Sequence, residues 1–300
     1  ISRLHLSQSE FVLYFEFSFF TKNFLKSTMT LMQKTNLRQK PAPCEQHVTI
    51  EEREHGAVWI TINRQPKHNA LARPVLTELA EAVRHAGQRE STRYIVVRGA
   101  GEKYFAAGGD LRELSAVRDE AAVTAMMEEA GGALDAIRRC PVPVLAYLNG
   151  DAIGGGAELA LSCDMRMQGN HARIGYIQAR LAITSAWGGG PDLFRLVGPS
   201  RAMRMMSRAE LIDATTAMSW GLADAVIHDG AEGTDLAAFL DPLNRCPPLV
   251  LRGITAQAIA ARFDNGWAAH RSVEQQHLLR TWLHDEHWRA ADRLLTKTTA

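Results

Sequence analysis

The chain has no CxxC pair, no GxxxxGK[ST] phosphate loop and no GxGxxG opening a helix after a strand. It also lacks charge of one sign: 34 basic residues stand against 33 acidic ones, a formal net charge of +1. That balance provides no field to gather nucleic acid or an anionic membrane, and without the glycine fingerprints the nucleotide-binding folds lose their main signal. The four cysteines, Cys44, Cys140, Cys163 and Cys246, lie far apart. Such spacing builds neither a zinc site nor a disulfide framework, so free, mostly buried thiols in a reducing, cytoplasmic compartment are expected. No repeat or low-complexity tract is evident. The aromatic run Phe11 to Phe20 is interrupted by Glu16, is too short to span a bilayer, and lacks a clear small-residue cleavage site.

What remains is ordinary globular composition: 300 residues, 46% hydrophobic and 22% charged, enough for one sizeable core with an appended smaller unit. Residues 1–46 read as an extension that is disordered or not native to the domain, with a targeting peptide and a structural element as the alternatives. The linker-like stretch Gln33 to Gln46, with Pro41 and Pro43, leads into a core expected over 47–240. There Val58, Ile60 and Ile62 alternate with Trp59 and Thr61, the period of a strand. Pro74 stands at the start of a helical pattern carried by Val75, Leu76, Leu79, Ala80 and Val83. Tyr94 to Val97 and Val142 to Leu148 are short apolar runs, the mark of buried strands. Strand, helix, strand in this order predicts α/β layering with parallel strands. From 241 to 300 only helical periodicity is found, over 249–263, 273–283 and 286–295.

Two glycine-rich turns carry the chemistry. Phe105-Ala106-Ala107-Gly108-Gly109-Asp110-Leu111 follows the strand at Tyr94 to Val97; Asn149-Gly150-Asp151-Ala152-Ile153-Gly154-Gly155-Gly156-Ala157-Glu158 follows the strand at Val144 to Leu148. The second turn puts flexible backbone at a helix N-terminus, where the first N–H groups lack intrahelical acceptors and the dipole favours negative charge. Glu158, three residues beyond Gly155, falls on the same face one turn away. An anion hole with a carboxylate beside it suits proton transfer next to an activated carbonyl, because enolate charge grows on oxygen as the proton moves at carbon. The plainer reading, glycines for tight packing and a glutamate favoured by the helix dipole, remains open from this turn alone.

Taken in order, Asn69-Ala70-Leu71, FAAGGDL, NGDAIGGGAELALSCDMRM, GGGPDLFRLVG from Gly188 and SWGLADAVI from Ser219 resemble the landmarks of the crotonase (enoyl-CoA hydratase/isomerase) superfamily over residues 47 to 230. The resemblance implies an α/β spiral of ββα units with a C-terminal helical region that serves trimer formation, and a homotrimer or a dimer of trimers. It implies an acyl-CoA substrate of fatty acid metabolism, with coenzyme A as part of the substrate and no separate cofactor or metal. By the same resemblance the N–H groups of Gly109 and Gly155 are the two donors to a thioester oxygen. Asn69, Ala70 and Leu71, with Ala106, Ala107, Gly108, Asp110 and Leu111, line the coenzyme A side.

The sequence departs from the hydratase pattern at one place. The first glutamate of that chemistry matches Glu158, but the position of the second holds Gln178. Glutamine can orient a water or a carbonyl but cannot act as acid or base. A two-carboxylate hydratase is therefore not expected, and GGGAELALSCDMRM followed by ITSAWGGG, with Ser185-Ala186-Trp187 before Gly188, resembles ethylmalonyl-CoA decarboxylase-type members, in which one acid would suffice. Tyr176 and Trp187 are expected to shape the pocket. His284 and His287 read as a solvated face rather than a metal site, and Arg201, Arg204 and Arg208 as a basic face. Ser162 and Cys163 have no identifiable histidine partner, so nucleophilic catalysis is not expected. Arg289 and Arg293 could reach coenzyme A phosphates.

Overall fold

The computed structural model describes residues 46–263. The chain divides into two units, residues 1–45 and 46–300, and the following concerns the second. The extension, the helices expected over 273–283 and 286–295, and His284, His287, Arg289 and Arg293 lie outside the described residues.

A six-stranded sheet runs in the order β1 (Val48–Glu52), β2 (Ala57–Ile62), β3 (Tyr94–Gly99), β5 (Val144–Leu148), β7 (Met165–Gly169), β10 (Ala225–Ile227). The first pair is antiparallel and the others are parallel. Parallel strands with both faces covered are apolar throughout, and β2 follows that rule. Its Val58, Ile60 and Ile62 enter one core, while Ala57 and Trp59 enter another with Tyr94, Leu145 and Tyr147. The alternation visible in the sequence therefore separates two cores rather than core from water.

The first core is filled by α1 (Arg73–Gln88), with Pro74 in its first turn and Val75, Leu76, Leu79 and Val83 buried, and by α3 (Glu120–Arg138). The second is closed by α7 (Glu232–Arg245) through Leu240. This helix runs across residue 240, and α8 (Pro248–Arg262) follows it.

A second sheet, of four strands, has the order β4 (Tyr104–Ala106), β6 (Asp151–Ile153), β8 (Arg173–Gly175), β9 (Leu211–Asp213). Three times in succession a strand of the large sheet is followed by a strand of the small one and then by helix: β3 and β4 before α2 (Leu111–Leu114), β5 and β6 before α4 (Gly155–Ser162), β7 and β8 before α5 (Gly189–Ser207). The fold is thus a mixed α/β spiral of ββα units. The chain returns to the large sheet through β9, α6 (Ala214–Trp220) and β10.

Candidate active site

The three-residue strands β4 and β6, too short to show a period in the sequence, bring the two glycine turns together. They pair in parallel, Tyr104 opposite Asp151 and Ala106 opposite Ala152, so the chain leaves both at the same sheet edge. Ligand sites in α/β proteins form at such C-terminal strand ends. Gly108, at φ +93°, packs so closely that a Cβ there would lie 3.0 Å from the carbonyl of Ile153 and 3.4 Å from the nitrogen of Gly155. Gly154, at φ 57° and ψ −118°, turns the chain into α4 in a conformation that an L side chain resists.

Gly155 is the first residue of α4, where an N–H has no intrahelical acceptor. Among the hydrogen bonds of the described turns, loops and caps, neither the N–H of Gly109 nor that of Gly155 donates to a protein oxygen. Both glycines face the indole of Trp187. A Cβ on Gly155 would lie 2.8 Å from its Cη2, and one on Gly109 would lie 3.3 Å from the same atom.

Glu158, 2% exposed, projects from the first turn of the wholly buried α4. Its Oε2 accepts from the main-chain N–H groups of Trp187 (2.9 Å) and Gly189 (3.1 Å). Its Oε1 accepts from Nε2 of Gln178 at 3.0 Å, from the 3-10 turn Gln178–Leu181 that follows β8. Burial raises its pKa, and these three donors offset part of that rise. The other amide atom of Gln178, Oε1, is buried without a partner. The phenol of Tyr176, itself buried, donates to the carbonyl of Gly189 at 2.7 Å. Burial, and the charge of Glu158 nearby, hold that phenol in its neutral form.

The cradle around Glu158 has a brace that the sequence does not announce. Arg138, at the end of α3, is 4% exposed and bonds Asp192 at 2.8 Å, Asp135 at 2.9 Å and the carbonyl of Trp187 at 3.2 Å. Burial disfavours its charge, but the two aspartates outweigh that and raise its pKa. It fixes the turn from Trp187 to Gly189 and the start of α5. Leu114 and Met126 also reach the site: Leu114 Cδ1 stands 2.7 Å from where a Gly109 Cβ would be, and Met126 Sδ accepts from Trp187 Nε1 at 3.4 Å. Only the Asp135–Arg138 spacing of three on a helix could have hinted at any of this.

Most of the other residues expected on the coenzyme A side are engaged within the protein. Asn69, 1% exposed and at φ 54°, donates to the carbonyls of Ala100 (3.0 Å) and Tyr104 (2.8 Å) and accepts from the N–H of Arg64. The N–H groups of Ala70, Leu71 and Ala107 donate to Lys67, Gly108 and His68. Leu71 also bridges to Gly109 in parallel fashion. Ala106 is fully buried in β4, whereas Leu111 is 61% exposed. Asp110 caps α2 and holds Arg64 at 2.7 Å; that bond to Arg64 lowers its pKa.

Of the other candidates, Arg204 and Arg208 pair with Glu210, and Arg201 and Arg204 lie over the ring of Trp220. Ser162 donates to the carbonyl of Leu159, and burial pushes the Cys163 thiol up to about 12. Among the described residues no group of three or more His, Cys, Asp or Glu could hold a metal ion. No described helix is long and apolar enough to cross a membrane.

Two unengaged main-chain amides beside one buried carboxylate form an arrangement suited to holding an oxyanion while a proton moves at the next carbon. The profile of the enoyl-CoA hydratase/isomerase family matches residues 52–296, and the chain belongs to that family. It is 32% identical over 211 residues to the mitochondrial methylglutaconyl-CoA hydratase of Mus musculus, covering 70% of this chain and 66%, slightly under two thirds, of that relative. It is 26% identical over 220 residues to the ethylmalonyl-CoA decarboxylase of Xenopus laevis, covering 73% of each. Its fold matches an enoyl-CoA hydratase crystal structure from Bacillus anthracis with a TM-score of 0.77 and 26% identity, covering 84% of this chain and 97% of that one.

Proposed function

We propose that the protein is an acyl-CoA thioester enzyme, a lyase or isomerase, in which Gly109 and Gly155 hold the thioester oxygen of an enolate and Glu158 moves the proton. The observation that carries this reading is the cradle of Glu158. Three donors aim its carboxylate, burial raises its pKa toward the range useful for acid/base work, and the glycine turns lie beside it. In the forward sense Glu158 takes the α-proton, the electron pair moves onto the thioester oxygen, and the two amides stabilise the charge; reprotonation reverses this.

Gln178 favours decarboxylation as a second reading. With one titratable group in the cradle, carbon dioxide can leave from a malonyl-type thioester while the bonding pair passes into the enolate. Protonated Glu158 then delivers its proton to the α-carbon. Gln178, its Oε1 unpartnered, orients a donor on the substrate or a water. The same proposal includes assembly as a homotrimer or a dimer of trimers in the cytoplasm, which analytical ultracentrifugation and cell fractionation check.

The test is turnover of crotonyl-CoA, longer enoyl-CoAs, and methyl- and ethylmalonyl-CoA by purified protein and by Glu158→Gln. The expected result is turnover of at least one substrate, lost in the variant. No turnover together with tight acyl-CoA binding by calorimetry would instead identify a binding protein that kept the fold without the reaction.

A further inference from the structure

We infer that Trp187 closes the acyl end of the site, restricting the protein to short acyl groups of about four carbons without a terminal charge. This rests on the proposed thioester site and names its substrate class.

The indole is buried, 7% exposed, with Cζ2, Cη2, Cζ3 and Cε3 along the faces of Gly109 and Gly155. The Nε1 contact with Met126 fixes the direction of the ring. An acyl group whose carbonyl lay at those two glycines would therefore meet the indole within a few atoms. Beyond the ring lies an apolar cavity of about 20 Å³ lined by Leu71, Leu76, Leu114, Met126, Ala130 and Trp187, room for about one water-sized group. With the carbonyl carbon and α-carbon at the glycines, one or two carbons more fill that cavity. At its rim a single guanidinium, Arg73, faces two carboxylates, Glu129 at 2.7 Å and Glu113 at 4.0 Å, and the N–H of Arg73 also donates to Glu113. The excess of negative charge disfavours an acyl chain that ends in a carboxylate. A carboxylate borne on the α-carbon would not reach this rim.

The side chain and the main chain of Trp187 have separate roles, because Glu158 is held by the N–H of this residue and not by the indole. Replacing the ring leaves the cradle's donors in place. The probes are saturated acyl-CoAs, which cannot be hydrated: butyryl-, hexanoyl- and octanoyl-CoA, with glutaryl-CoA for the terminal charge. Titration calorimetry is run on the full chain, on Trp187→Ala and on Trp187→Phe. An open apolar channel tightens binding about fourfold per added methylene. The expected result is no tightening, or weakening, beyond butyryl-CoA in the wild type, and about a 250-fold gain from butyryl to octanoyl in Trp187→Ala. Trp187→Phe falls between, and glutaryl-CoA binds the wild type more weakly than butyryl-CoA. Wild-type affinity that rises steadily to octanoyl-CoA, or a Trp187→Ala profile parallel to the wild type, overturns the inference while leaving the enolate chemistry intact. Failure of the wild type to bind any of these probes overturns both.

Discussion

Replacing Glu158 by glutamine separates the chemistry of this group from its packing. The side chain keeps its shape, and one arrangement of the amide atoms keeps a hydrogen bond to each of the three neighbours. Its oxygen takes the place of Oε2 and accepts from Trp187 and Gly189. Its nitrogen then faces Gln178, whose amide turns over to offer the Oε1 that is now buried without a partner. One atom of the Gln178 amide stays without a partner, as in the wild type, with nitrogen now in the place of oxygen. A lost acid/base typically slows the chemical step about 10²–10⁴-fold, which is about 3–5 kcal/mol of barrier.

Stability moves the other way. Because burial raises the pKa of Glu158 above its ordinary 4.5, the folded protein binds this proton more tightly than the unfolded chain. The contribution is fully present below the unfolded value and is lost as pH rises through the folded one. At pH 7–8 Glu158→Gln should therefore melt no lower than the wild type, and the relative stability of the wild type should improve toward pH 4. Glu158→Ala strands three donors instead, at about 1–3 kcal/mol each, with about 2–4 °C lost per kcal/mol. Turnover assays and thermal melts of the three proteins check this. Wild-type rates in Glu158→Gln, or melts as depressed as those of Glu158→Ala, would refute the reasoning.

Gln178→Glu places a second carboxylate 3.0 Å from Glu158 Oε1, so the pair shares a proton and titrates at raised apparent values. The expected outcome is a gain in crotonyl-CoA hydration, with the acidic limb of the rate profile moved to higher pH. Arg138→Met leaves Asp192 buried without its cation, which costs about 3–5 kcal/mol in a denaturant melt. Gly156→Ala puts a Cβ 2.7 Å from the Ala106 main-chain carbon, which cannot yield as a side chain would; a loss of about 1–3 kcal/mol, with lowered kcat as the turns separate, is expected. Asn69→Leu removes three part-buried hydrogen bonds and should lower the melting temperature by several degrees at about 1–3 kcal/mol per stranded partner.

Much of this protein was legible in its residues because the relevant signals are local. The β2 and α1 patterns follow from periods of 2 and 3.6, the start of α4 follows from Gly154 to Gly156, and Glu158 lies one turn on because helical spacing puts it there. Tertiary structure decided what those pieces meet. The strands that join the glycine turns are three residues long and carry no period, so their pairing shows only in space. Nothing near Trp187 in the chain says that its indole lies across Gly109 and Gly155, which are 78 and 32 residues earlier, or that its N–H holds Glu158. Arg138 reads as one of 34 basic residues until its three partners, from two elements and a turn, close around it. A side chain's type and a backbone's turn are written locally, whereas orientation and desolvation depend on neighbours distant in sequence. Those two quantities set the protonation of Glu158 and the size of the space beside it.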